Sequence, residues 1–205
     1  MKLLVGTTNP GKFLEVEAAL KDLPIRVVSL STLTDWPKVV EDGETFEANA
    51  FKKARTLADF SGCMTLADDS GLEVDALGGA PGVFSARYSG QEGSDARNNE
   101  KLLEALVGLP KEKRGARFVC VLVLCSPGSS DREEWVFRGT CEGWISLAPR
   151  GKHGFGYDPI FFYPPFQCTF GQVDRATKGR VSHRGQALKK LRQALPLAFS
   201  LNTNP

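Results

Sequence analysis

The stretch Lys2-Leu3-Leu4-Val5-Gly6-Thr7-Thr8-Asn9-Pro10-Gly11-Lys12 sets the class of the chain. Residues 2–6 form an apolar run of strand length, and residues 7–12 are loop formers. Phe13, Val16, Ala19 and Leu20 then recur at helical spacing, and residues 25–30 read as a second strand. Strand, loop, helix, strand is an α/β beginning. The loop matches the GxxxxGK part of a phosphate-binding loop. Phe13 stands where such a loop needs a magnesium-holding Ser or Thr, and Pro10 removes a backbone donor. A nucleotide-driven motor or switch is therefore disfavoured. What survives is a strand-to-helix loop suited to an anionic group.

Outward from this unit, residues 31–43 are polar loop and residues 44–60 form a helix with Phe46, Ala50, Ala54 and Leu57 on one face. Residues 64–67 read as a short buried strand ending in Asp68-Asp69-Ser70-Gly71. Two adjacent carboxylates at a buried strand end need a neutralising partner, and a divalent cation is the usual one. Strand side chains alternate faces, so both carboxylates reach one site only if the strand breaks at Ser70-Gly71. A further strand over 72–77 is expected, then a helix over 95–107 capped by Ser94. Residues 116–125 and 133–145 form a hairpin across the turn at 127–131, and residues 184–195 a final helix. The tail at 200–205 reads as frayed.

The chain has 205 residues, 41% hydrophobic and 24% charged, with 26 Lys+Arg against 24 Asp+Glu. A net charge of +2 disfavours a bulk nucleic-acid binder. No run approaches a membrane span, and the first apolar stretch is too short for a signal peptide. The five cysteines, at 63, 120, 125, 141 and 168, form no CxxC pair and read as buried, reduced thiols of a cytosolic protein. With His153 and His183 as its two histidines, the chain is not built for a His-rich zinc site.

Several segments carry candidate chemistry. Glu41-Asp42-Gly43 precedes the second helix, where Asn49 and Lys53 share a face and Lys52 points elsewhere. Gly154-Phe155-Gly156-Tyr157-Asp158-Pro159 offers an aromatic surface for a flat ring and an acid to accept from ring N–H groups. Ser182-His183-Arg184-Gly185 opens the last helix with donors suited to purine carbonyls. An anion loop, carboxylates and lysines together suit a phosphoanhydride and magnesium.

Taken in order, these strings resemble the inosine triphosphate pyrophosphatase family, in particular its bacterial branch acting on XTP and dITP. Thr45-Phe46 with Asn49-Ala50, residues 77–82 and Ser85-Ala86-Arg87-Tyr88 also carry the resemblance, which runs nearly end to end. It implies an α/β fold: an elongated, twisted mixed β-sheet with flanking helices, as one domain over 1–205 with two dependent lobes around a cleft. It implies hydrolysis of ITP, dITP and XTP to the monophosphate and pyrophosphate, with Mg2+ as cofactor, by a cytoplasmic homodimer without nucleic-acid or membrane partners. By the resemblance, Asp69 is the general base, and Glu41, Asp68 and Asp69 surround the metal. Thr7, Thr8, Asn9, Gly11, Lys12 and Lys53 serve the triphosphate, and Ser70 contacts substrate. Phe155, Gly156, Tyr157, Asp158, Lys178, His183 and Arg184 form the base side. A donor such as Arg184 facing C6 would favour a carbonyl there over the adenine amino group. Lys152-His153 and Gly179-Arg180 depart from the family pattern at the base-side rim. The alternatives are a Maf-like pyrophosphatase of pyrimidine or modified nucleotides, a nucleotide sensor without turnover, and a magnesium-dependent nuclease.

Overall fold

A computed structural model describes residues 2–90, 94–128 and 130–201. The apolar run at the start forms β1 (Lys2–Gly6), and Asn9 caps α1 (Pro10–Leu20) by accepting from the Lys12 N–H at 3.0 Å. Pro10 sits in the first turn, where its missing N–H has no helical partner to lose. The chain returns through β2 (Arg26–Ser29), parallel to β1. Thr45 then caps α2 (Phe46–Ser61), which ends on Gly62 at φ +62°. β3 (Met64–Val74) pairs parallel to the other edge of β1, and β4 (Gly115–Cys125) and β5 (Glu134–Ile145) follow antiparallel. Short β6 (Phe161–Tyr163) and β7 (Cys168–Thr169) complete a seven-stranded mixed sheet in the order β2-β1-β3-β4-β5-β6-β7.

Both faces of the sheet are covered. On one, Leu3, Val5, Leu66 and Leu122 pack against Val16 and Leu20 of α1 and Leu191 of α5 (His183–Leu201). On the other, Ala50, Ala54 and Ala58 of α2 lie on Ala67, Val119, Val121 and Val123. Small side chains on α2 let the helix approach the central strands closely. Farther along, Leu72, Phe118, Phe161 and Phe170 form a third cluster with Leu102 of α3 (Asp95–Ala105). Ser94 caps α3, and α4 (Arg175–Val181), β6 and β7 are elements the sequence pattern did not reveal.

The expected break at Ser70-Gly71 is absent. β3 runs unbroken for 11 residues, and its ladder with β4 continues from Thr65–Cys125 to Val74–Ala116. The separate strand expected over 72–77 is the end of this one, followed by a 3-10 turn at Asp75–Leu77. Gly71 serves a close approach rather than a turn. A Cβ there would lie 2.3 Å from Ser85 Oγ and 2.6 Å from Gly82 O. Gly71→Ala is expected to destabilise the fold by about 2 kcal/mol, the usual scale of overpacking. A thermal midpoint lowered by roughly 4–8 °C in a melting experiment checks this, and an unshifted midpoint refutes the close-approach role.

Two further expectations change. The last helix continues past Pro196 to Leu201, because Leu191, Leu195 and Ala198 keep one stripe against the core. The tail residues 202–205 and the turn residue Ser129 lie outside the described residues. Cys120, Cys125 and Cys141 are buried free thiols as expected, whereas Cys63 and Cys168 are half-buried. No helix among the described residues is long and apolar enough to cross a membrane.

Candidate active site

Because β3 is continuous, Asp68 and Asp69 point to opposite faces of the sheet. Asp68 faces α1 and α5, where its Oδ1 meets Lys12 Nζ at 2.6 Å and accepts from Ser70 Oγ at 2.7 Å. Its Oδ2 accepts from Arg184 Nε at 2.7 Å and from the Cys120 thiol at 3.4 Å. Burial alone would raise this carboxyl, but Arg184 and Lys12 outweigh it and hold Asp68 well below the usual carboxylate range. Ser70, two residues on and on the same face, also accepts from Arg184 at 2.7 Å.

Asp69 faces α2. Lys53 Nζ lies 3.3 Å from its Oδ1, 3.0 Å from Glu41 Oε2 and 2.8 Å from the Asp68 carbonyl oxygen. Asn49, one turn earlier on α2, accepts from the Gly43 N–H at 2.8 Å and so anchors the segment that carries Glu41. Asp69 Oδ2 is buried without a hydrogen-bond partner. Burial raises the Asp69 carboxyl above its ordinary value, Glu41 adds to this, and Lys53 and Lys12 only partly oppose it. Burial would raise Glu41, but Lys53, helped by Lys12 and a contact with Asp69, lowers it overall. Lys52 points outward to Asp42 at 2.7 Å.

Under the α1 side lies a second charged layer. Glu15 receives Arg184 Nη1 at 2.7 Å and Lys178 Nζ at 3.3 Å, and Lys178 also reaches Asp158 Oδ2 at 2.6 Å. Lys12, Lys178 and Arg184 thus balance Glu15, Asp68 and Asp158. Asp158 Oδ2 also accepts from the Phe155 N–H at 2.9 Å, which closes the Gly-aromatic loop on itself. Phe155 lies 4.7 Å from Lys178 Nζ and close over Gly11, whose missing Cβ would stand 2.5 Å from the ring. His183 stacks on Phe118 at 4.6 Å. Its burial, reinforced by Arg184 and Lys178, holds it well below the ordinary histidine value, so it is neutral and its Nδ1 is unpartnered.

These groups line two adjoining hollows. The wider contains Thr7, Thr8, Asn9, Lys12, Glu41, Lys53, Asp68, Asp69 and Ser70. The narrower contains Phe155, Gly156, Tyr157, Asp158, Lys178, His183 and Arg184. Asn9, Lys12 and Ser70 line both. Every residue to which the resemblance gives a site role, except Gly11, lines one of them, and Gly11 lies beneath Phe155 instead. Among the described residues, no three His, Cys, Asp or Glu side chains group closely enough to hold a metal by themselves. Asp68 and Asp69 on opposite faces are the reason. His153 is exposed and lines neither hollow.

Sequence reading missed Glu15, Phe118 and Cys120. Glu15 was legible in principle, three residues after Lys12 on one helix face. Phe118 and Cys120 are apolar positions on a central strand, and nothing local marks them.

The fold and site define a class: an α/β protein whose mixed sheet carries a basic strand-to-helix loop opposite buried carboxylates. The chain belongs to the Ham1 family, whose model matches residues 3–194. A dITP/XTP pyrophosphatase from Geobacter sulfurreducens is 49% identical over 194 residues, 95% of this chain and 96% of that protein. Another, from Lactobacillus acidophilus, is 48% identical over 197 residues, 95% of this chain and 97% of that protein. The fold matches that of a HAM1 protein from Coxiella burnetii with a TM-score of 0.86 and 41% identity, over 96% of this chain and 98% of the other. The Ham1 protein of Staphylococcus aureus matches with a TM-score of 0.84 and 39% identity, over 96% and 98%.

Proposed function

We propose that this chain hydrolyses deaminated purine nucleoside triphosphates (ITP, dITP, XTP) to the monophosphate and pyrophosphate. One observation carries the mechanism: of two adjacent aspartates, one is silenced and the other left poised. Asp68 is tied to Lys12 and Arg184 as a fixed anion. Asp69 keeps a raised carboxyl and an unpartnered buried oxygen. In this reading Asp69 Oδ2 takes the proton of a water that attacks the α-phosphorus, and the α–β anhydride bond breaks. Lys12 and Lys53 offset the charge of the departing pyrophosphate.

The unpartnered Asp69 oxygen beside half-buried Glu41 fits a hard divalent cation. Glu41 and Asp69 would hold Mg2+, whose chemistry there is Lewis-acid polarisation of phosphate oxygens. Asp68 moves out of the expected ligand set, since protein donors already engage both of its oxygens. On the base side, Arg184 already bonds Asp68, Glu15 and Ser70, so its reading of the C6 carbonyl passes to neighbouring His183. Phe155 stacks on the purine, with the whole chain acting as one domain. A cytoplasmic homodimer, without nucleic-acid or membrane partners, completes the proposal.

Pyrophosphate release from ITP, XTP, ATP, GTP and dTTP tests it, with Mg2+ and with excess chelator. Preference for ITP and XTP, lost in chelator and restored by Mg2+, is the expected result. Preference for dTTP, or release from none, overturns the proposal.

A further inference from the structure

The Gly-aromatic loop is held from outside as well as from within. Gly156 donates its N–H to Asp95 Oδ2 at 2.6 Å and its carbonyl accepts from Asn99 Nδ2 at 3.0 Å. Asp95 and Asn99 lie four residues apart on α3 and so share one helix face. Both backbone polar groups of a single residue, and so the two peptides that flank it, are therefore gripped by one helix. Gly156 has φ +62°, a left-handed conformation that fixes where its neighbours point. Its preceding residue is Phe155.

The burial of Asn99 indicates what its amide is for. Its Oδ1 is buried without a partner, a penalty that an apolar residue would not carry. The bond to Gly156 is what the side chain returns for that penalty. The adjacent Asn98 holds the opposite rim: it accepts from Ser89 N–H and Oγ at 2.7 Å each, and donates to the Ala86 carbonyl at 3.2 Å. The Tyr157 hydroxyl, next to Gly156, reaches the Ser85 carbonyl at 2.8 Å. One turn of α3 thus ties together both sides of the narrower hollow.

We propose that Asp95 and Asn99 are positioning residues for purine recognition, clamping the Gly156 backbone on both sides so that the Phe155 ring stands ready to stack on the base. The proposal rests on the base-side role of Phe155 given above. Neither residue touches the triphosphate hollow, so the clamp acts on the base and not on the phosphates.

Two ligands that are not hydrolysed separate these halves. IMP engages the base side, and inorganic pyrophosphate engages the phosphate side alone. Calorimetric titration of Asp95→Ala, an exposed position, and of Asn99→Leu is expected to show IMP binding weakened at least tenfold. Pyrophosphate binding should stay within twofold of the parent protein. Asp95→Asn keeps an acceptor oxygen for the Gly156 N–H and should restore IMP binding, and KM for ITP should rise in Asp95→Ala but not in Asp95→Asn. Unchanged IMP binding in Asp95→Ala overturns the clamp. So does a parallel loss of pyrophosphate binding, or an Asp95→Asn variant as defective as Asp95→Ala. A parent protein that releases pyrophosphate from none of the triphosphates sinks the functional reading, while the IMP titration still judges the clamp.

Discussion

Asp69→Asn is expected to lower kcat for ITP by about a thousandfold, within the 10²–10⁴ range for loss of a general base. The substitution conserves shape, and its amide oxygen can still face Lys53, which lies 3.3 Å from Oδ1 in the parent protein. The ion pair between Lys53 and Glu41 at 3.0 Å does not depend on it. What disappears is a carboxylate able to take a proton, at the atom that has no protein partner. KM for ITP should therefore move far less than kcat, because base and phosphate contacts survive. Steady-state pyrophosphate release gives both constants. Turnover retained within tenfold would remove Asp69 as the base. A large rise in KM at unchanged kcat would make it a binding residue instead.

The sequence made the site's membership legible but not its handedness. Strand and helix periods placed β1, α1, α2, β4 and β5, because each buries an amphipathic or continuous apolar face that local spacing records. The Asp68-Asp69 pair was visible as an electrostatic problem. Its solution was not, because Gly71 is small for the sake of Ser85 and Gly82, residues brought back only by the tertiary fold. Ser-Gly reads as a turn signal when nothing reports a close approach. The neutralising groups were likewise distant: Arg184 lies 116 residues from Asp68 in sequence. The short β6 and β7 are too brief for any periodicity, and α4 is a seven-residue helix whose apolar face is minimal. Asp95 and Asn99 were hidden for a further reason. Polar residues in the first turns of a capped helix read as solvated, and their use depends on a loop some sixty residues away.

Arg184→Ala is expected to be the most damaging substitution to the fold, destabilising it by about 3–5 kcal/mol as removal of one buried ion partner does. Arg184 is fully buried and is bonded at once to Asp68, Glu15 and Ser70. Without it, half-buried Lys12 is the one cation left on Asp68, beside the neutral Ser70 and Cys120 donors, and Lys178 at 3.3 Å is the one left on Glu15. The pH dependence separates this cause from simple loss of packing. In the parent protein the folded-state value of Asp68 is depressed, so its stabilisation is fully present above the unfolded carboxylate value of about 3.9. It is lost only as pH falls through the lower folded value. Removing Arg184 leaves Lys12 alone against burial and is expected to drive Asp68 the other way. A folded-state value raised above the unfolded one favours the fold only when the carboxyl is protonated. The deficit of Arg184→Ala relative to the parent should therefore be largest near pH 7 and shrink toward pH 4. Urea unfolding of metal-free protein across that range measures it. A deficit constant with pH would mean that Arg184 stabilises the fold by packing alone, and that Lys12 suffices to keep Asp68 charged.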